Sequence, residues 1–287
     1  MYNFCICQVA KVVDSIHEQA NSLKRCPSFS CGCNSVRLYC DMRFLIGTIL
    51  LLLLPGVAAA FVWSVVLLTH VPAILVPLAI GTFLGIVLDH FVFRRVPVVQ
   101  TFEHELTHAV AALMFFRRIT GFVVKKKGGT VSYHEGFGGQ FGTDFIGLAP
   151  YVFPLFAALS VTGRFLAPTS WFPWYDGWIG FTLGYHIWSS IEEIGEAWTK
   201  KRFVSAGTGE VTQTDIARRG YIYSAVFIAT FTLAIHGVLI ALIVKGTAGV
   251  MPWAKEVWSV TSMISMQIYA WVKWGVVWAW GKAQAAA

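Results

Sequence analysis

The run Phe44-Leu-Ile-Gly-Thr-Ile-Leu-Leu-Leu-Leu-Leu-Pro-Gly-Val-Ala-Ala-Ala-Phe-Val-Trp-Ser-Val-Val-Leu-Leu68 contains no charged side chain. A helix rises about 1.5 Å per residue, so crossing a hydrocarbon core of about 30 Å takes about 20 residues. This run is long enough to cross as one helix. It is too long for the core of a signal peptide despite Ala58-Ala59-Ala60, and reads as a retained anchor. The whole composition agrees with it. Charged residues make up 13% of the 287 and hydrophobic ones 56%, whereas soluble domains carry about 25% charged residues. A soluble enzyme, a disordered chain, a disulfide-stapled module and a collagen-like fibre are excluded. A polytopic membrane protein remains.

Upstream of the run, residues 1–41 hold all six cysteines: Cys5, Cys7, Cys26, Cys31, Cys33 and Cys40. They lack the paired C-x2-C spacing of structural zinc modules. They read as a weakly ordered N-terminal segment ahead of a membrane-embedded domain of residues 42–287. The start Met42-Arg-Phe-Leu-Ile-Gly also has the character of a membrane-protein N-terminus, so translation from Met42 is an expectation too. The net charge is +7 and the pI about 9.2. The basic residues, however, sit in short clusters between apolar runs: Arg94-Arg95, Arg117-Arg118, Lys125 to Lys127, Lys200 to Arg202 and Arg218-Arg219. That placement suits loops facing the cytoplasm from an inner (plasma) membrane, with anionic lipid headgroups rather than nucleic acid as counter-charge.

Downstream, residues 73–93 form a second apolar segment, and residues 97–116 a third that carries Glu103, His104, Glu105 and His108 in its first half. Residues 121–133 read as a β-hairpin with a glycine turn at Gly128-Gly129. Residues 145–166 are a further span, kinked by Pro150 and Pro154. The aromatic stretch 171–174 marks an interface, and residues 178–194 are a helix holding His186. Residues 221–244 span again, and residues 252–280 are a tryptophan-rich helix that crosses or lies at the interface. The reading is an all-α polytopic membrane protein with six or seven transmembrane helices and a small β-hairpin after the third. A full crossing by residues 97–116 would put Arg94-Arg95 and Arg117-Arg118 on opposite faces; a re-entrant helix keeps both pairs on one face, as the positive-inside rule prefers.

His104-Glu105-Leu106-Thr107-His108 is an HExxH motif. Residues four apart share a helix face, so both imidazoles can address one metal ion while Glu105 reaches a metal-bound water as general base. This is the arrangement of zinc hydrolases, in which the metal lowers the pKa of water and polarises a carbonyl. Burying two histidines and two glutamates in an apolar helix costs several kcal/mol unless metal or an aqueous cavity compensates, so the position strengthens the motif.

The chain resembles the site-2 protease family of intramembrane zinc metallopeptidases. The resemblance is carried by His104-Glu105-Leu-Thr-His108-Ala-Val-Ala-Ala, the Gly128-Gly129 hairpin and the segment Gly147-Leu-Ala-Pro-Tyr-Val-Phe-Pro154, within about a third of the chain. It implies peptide-bond hydrolysis in or beside the membrane, Zn2+ held by His104 and His108, Glu105 as base, and an extended polypeptide substrate laid along the hairpin. The family's usual third ligand, an aspartate in an Asn-x-x-Pro-x-x-x-Leu-Asp-Gly segment, has no counterpart here. A catalytic zinc needs three protein ligands. His186, in an otherwise apolar stretch, is the first choice, and Glu193, seven residues on and so on the same helical face, is a ligand or a partner to one. Asp215 and Asp144 are the alternates, each also placed to cap a helix. Two other functions stand against the protease: a non-proteolytic membrane subunit that retains HExxH, and a transporter whose histidines and glutamates line an ion path, for which no inverted repeat is found.

Overall fold

The computed structural model describes residues 32–125, 128–199, 203–204, 211–212 and 214–286. Residues 1–31, Lys126, Lys127 and the Lys200 to Arg202 cluster lie outside them, and with them most of the expected cysteine segment. Helix α1 (Gly32–Thr69) contains the opening apolar run and α2 is Pro72–Phe91. After a short 3-10 turn come α3 (Pro97–Met114), which carries HExxH, and the antiparallel hairpin β1 (Ile119–Val124) and β2 (Gly129–Tyr133). Helices α4 (Gly139–Val152) and α5 (Leu155–Leu166) follow, then the long α6 (Phe172–Thr199). A two-residue pairing of β3 (Phe203–Val204) with β4 (Val211–Thr212) precedes the one-turn α7 (Asp215–Arg219). Helices α8 (Tyr221–Lys245) and α9 (Val250–Ala286) complete the described chain.

Three segments are long and apolar enough to cross a membrane, namely Met42–Thr69, Pro72–Arg95 and Tyr221–Trp280, and a fourth if the bent pair α4 and α5 counts as one. This is fewer than the six or seven expected. Part of the difference is arithmetic: Tyr221–Trp280 is counted once, yet it is far longer than the roughly 20 residues one crossing needs. It doubles back at Gly246, whose φ of +61° suits glycine. Neither α3, with four ionisable groups in its interior, nor α6, which runs into Glu192 and Glu193, is among those spans. The segment expected as one kinked span from 145 to 166 is two helices at 80°. Phe153, before Pro154, is extended (φ −108°, ψ 100°), as a residue preceding proline prefers. The hairpin lies where the glycine turn placed it.

Two features fix the helices around the HExxH segment. One is a glycine seam: a Cβ on Gly81 or Gly85 of α2, or on Gly180 or Gly184 of α6, would run into backbone atoms of the other helix. Both pairs have the four-residue spacing that lets membrane helices approach backbone to backbone, so α6 is clamped on α2 by packing. The other is an ionic hub at Asp144, which is fully buried. Arg43 of α1 binds it through both guanidinium ends at 2.9 and 3.1 Å, Gln140 donates at 2.9 Å, and Arg219 Nε lies 3.3 Å away. A buried carboxylate with three such partners is satisfied, and α1, α4 and α7 are tied together through it. Around it Ala111 and Ala112 of α3, Ile146, Leu148 and Val152 of α4, Ile216 of α7 and Phe227 of α8 form one apolar core.

Candidate metal centre

The two imidazoles of HExxH are one helical turn apart on α3, and each has its Nδ1 committed. His104 Nδ1 donates to Glu193 Oε2 of α6 at 2.9 Å, and His108 Nδ1 donates to the Ile146 carbonyl of α4 at 2.7 Å. The second bond has a local cause. Pro150 has no N–H, so the carbonyl four residues back in α4, that of Ile146, is released from the helical ladder and is free to accept from His108. With both Nδ1 atoms protonated, the two Nε2 atoms present lone pairs to each other, and they lie only 3.1 Å apart. A shared proton or a metal cation between the two nitrogens satisfies that arrangement.

Asp215 completes the group. Its Oδ2 is 3.7 Å from His108 Nε2, and the ligand atoms of His104, His108 and Asp215 all lie within 4.8 Å of one another. Three ligands on a tetrahedral ion with bonds of about 2.0 to 2.1 Å would be separated by about 3.3 Å. Two nitrogens and one carboxylate oxygen, with 3.1 and 3.7 Å between neighbouring donors and none farther apart than 4.8 Å, are a donor set that suits Zn2+. Asp215 is available for the role because Thr214, not Asp215, caps α7: its hydroxyl accepts from the Ala217 N–H. Its other oxygen, Oδ1, accepts from Arg219 at 3.1 Å.

His186 does not join the group. It is buried on α6 with Nδ1 3.7 Å from Glu103 Oε1 and its ring stacked on His236 at 6.0 Å. Although Glu193 shares its helix, Glu193 faces His104 while His186 faces Glu103, the residue before it on α3. The structure thus groups Asp215, not His186, with the two histidines, and sets Glu193 against His104. Asp144 is not grouped with the two histidines and does not start a helix. It lies inside α4, which starts earlier because Gly138, at φ +89°, turns the chain into the helix. His134 and Glu135 are exposed at the end of the hairpin. Arg117, expected as a loop cation, is buried and bonds Thr143 and the Gly139 carbonyl, fastening the start of α4 to the end of α3.

Glu105 is buried, and the hairpin comes up against it. A Cβ added at Gly129, the first residue of β2, would stand 2.5 Å from Glu105 Cγ and 2.8 Å from its Cδ. The glycine expected only as a turn residue is also a close-approach position, and it sets strand and carboxylate side by side. Tyr151 of α4 packs its ring edge-on to His104 at 5.8 Å.

A helical chain with membrane-spanning segments and an HExxH helix whose histidines meet an aspartate has the make-up of a membrane metallopeptidase. Residues 77–165 match the family model described as Peptidase M50B-like. Through this stretch, which takes in α3, the hairpin and the bent pair, the chain is similar to the site-2 protease family. No curated protein and no solved structure matches it.

Proposed function

We propose that the protein is a zinc endopeptidase of a plasma membrane that cleaves a membrane-associated polypeptide, with His104, His108 and Asp215 as ligands and Glu105 as general base. The observation that carries the reading is the pair of Nε2 atoms 3.1 Å apart with a carboxylate beside them. When bound, zinc supplies a Lewis acid that makes water acidic near neutral pH and polarises the scissile carbonyl. Glu105 takes a proton from the attacking water as its oxygen bonds to the carbonyl carbon, and returns that proton to the amide nitrogen as the C–N bond breaks. Glu193 and the Ile146 carbonyl hold the two imidazoles in the tautomer that leaves Nε2 free. The substrate is held extended along the hairpin, next to Glu105, by strand addition. With α3, α6 and the two arms of Tyr221–Trp280 counted as membrane helices, the total reaches the six or seven that the sequence suggests.

Asp215 supplies a carboxylate where the family's aspartate segment is missing, which favours a working protease over a non-catalytic subunit. Two tests follow from this reading. Detergent-purified protein is expected to carry about one zinc per chain and to cleave a dye-labelled casein; a strong chelator stops cleavage and added zinc restores it. Cleavage that persists after complete zinc removal would reject the metalloprotease. Gly129→Ala is expected to push Glu105 and β2 apart. Since misplacing a catalytic group by about 1 Å is worth about 100-fold, kcat should fall by about that factor with zinc content unchanged. A wild-type kcat in that variant rules out the strand beside Glu105 as part of the working site.

A further inference from the structure

Arg219 sits in a place made for it. Its side chain is 6% exposed, and its guanidinium reaches three neighbours in three directions. Nη1 donates to Asp215 Oδ1 at 3.1 Å and to the Asp215 carbonyl at 3.0 Å, Nη2 donates to the Thr143 carbonyl at 3.1 Å, and Nε lies 3.3 Å from Asp144 Oδ1. The space it fills lies over Gly147 of α4, where a Cβ would collide with the guanidinium carbon and both of its terminal nitrogens. The anion behind it is itself fixed, because Asp144 is bound by Arg43 and Gln140. Asp215 is on a helix of one turn, which by itself positions a side chain poorly.

We infer that Arg219 is a positioning residue for the metal centre: seated over Gly147 and anchored by Asp144, it holds Asp215 Oδ1 so that Oδ2 faces the His104/His108 pair. The inference rests on the assignment of Asp215 as third ligand. Lysine cannot replace arginine here, because one ammonium group does not present donors in three fixed directions. Gly147 explains itself in the same way, since any side chain would evict the guanidinium.

The test measures zinc affinity by chelator competition and the visible absorption of the cobalt-substituted protein, together with the melting temperature of the metal-free form. Arg219→Lys is expected to weaken zinc binding about 10- to 100-fold, the size of effect seen when a partner of a metal ligand is lost, and to change the cobalt band. Gly147→Ala, which leaves all the charges in place, should do the same. Arg43→Gln removes one partner of Asp144 while Gln140 and Arg219 remain; it is expected to lower the melting temperature and to cost clearly less zinc affinity than Arg219→Lys does. In an Asp215→Asn background, Arg219→Lys should add nothing further to the loss. Wild-type affinity and band in Arg219→Lys, an equal loss of affinity in Arg43→Gln, or a full additional loss in the double variant would each overturn the inference. If Asp215→Asn itself keeps wild-type affinity, the ligand assignment falls and this inference with it. If Asp215→Asn loses zinc and Arg219→Lys does not, only the positioning role falls.

Discussion

Glu105→Gln is expected to bind zinc as the wild type does and to lose its hydrolytic activity. The substitution keeps the size and shape of a side chain that is buried against the hairpin, and Glu105 is not among the grouped ligand residues, so the metal should stay. What disappears is the ability to accept and return a proton. General acid–base catalysis contributes about 10^2- to 10^4-fold, so kcat should fall by at least the lower of these factors. Zinc analysis and cleavage of labelled casein, run on the same preparation, check the result. Cleavage by Glu105→Gln at the wild-type rate would remove Glu105 from the mechanism, whatever the metal does.

The second large effect is expected at the third ligand. Asp215→Asn replaces a charged oxygen donor by a neutral one and also breaks the charge-assisted bond to Arg219. Loss of a partner to a ligand already costs about 10- to 100-fold in affinity, and loss of the ligand itself should exceed that. His186→Ala, by contrast, should leave zinc affinity where it was, because its imidazole is engaged with Glu103 and His236 rather than with the pair. Chelator competition on the two variants separates them. A large loss in His186→Ala with none in Asp215→Asn would reverse the assignment.

The division between what could and could not be read from the chain has physical causes. The apolar run 44–68, the HExxH helix and the glycine-turned hairpin are local: each depends on spacing within one segment, and each is found where spacing placed it. The residue that joins the two histidines is not local. His186 stood out because an ionisable residue in an apolar stretch needs an explanation, but the explanation turned out to be a second buried cluster with Glu103 and His236. Asp215 was hidden by its helix-start position, which suits an N-cap equally well. The clue was its neighbour, since Thr214 is also a capping residue and one of the two was free for another task. Pro150 read as a kink, whereas its larger effect is to free the Ile146 carbonyl for His108. The bend falls at Pro154 instead. The glycine pairs of α2 and α6 have a four-residue spacing whose meaning depends on which helix faces which, and that is not local. Length and hydropathy alone do not reach the expected helix count, because charge inside α3 and α6 removes them from the simple spanning class.

X-ray absorption spectroscopy at the zinc edge of the purified, metal-loaded protein tests the central claim most directly. A four-coordinate zinc is expected, with two imidazole nitrogens and a carboxylate oxygen at about 2.0 to 2.2 Å and a light oxygen donor in the remaining position. Three imidazoles around the metal, or zinc that stays bound with the same spectrum after His104 and His108 are both replaced by alanine, would contradict it.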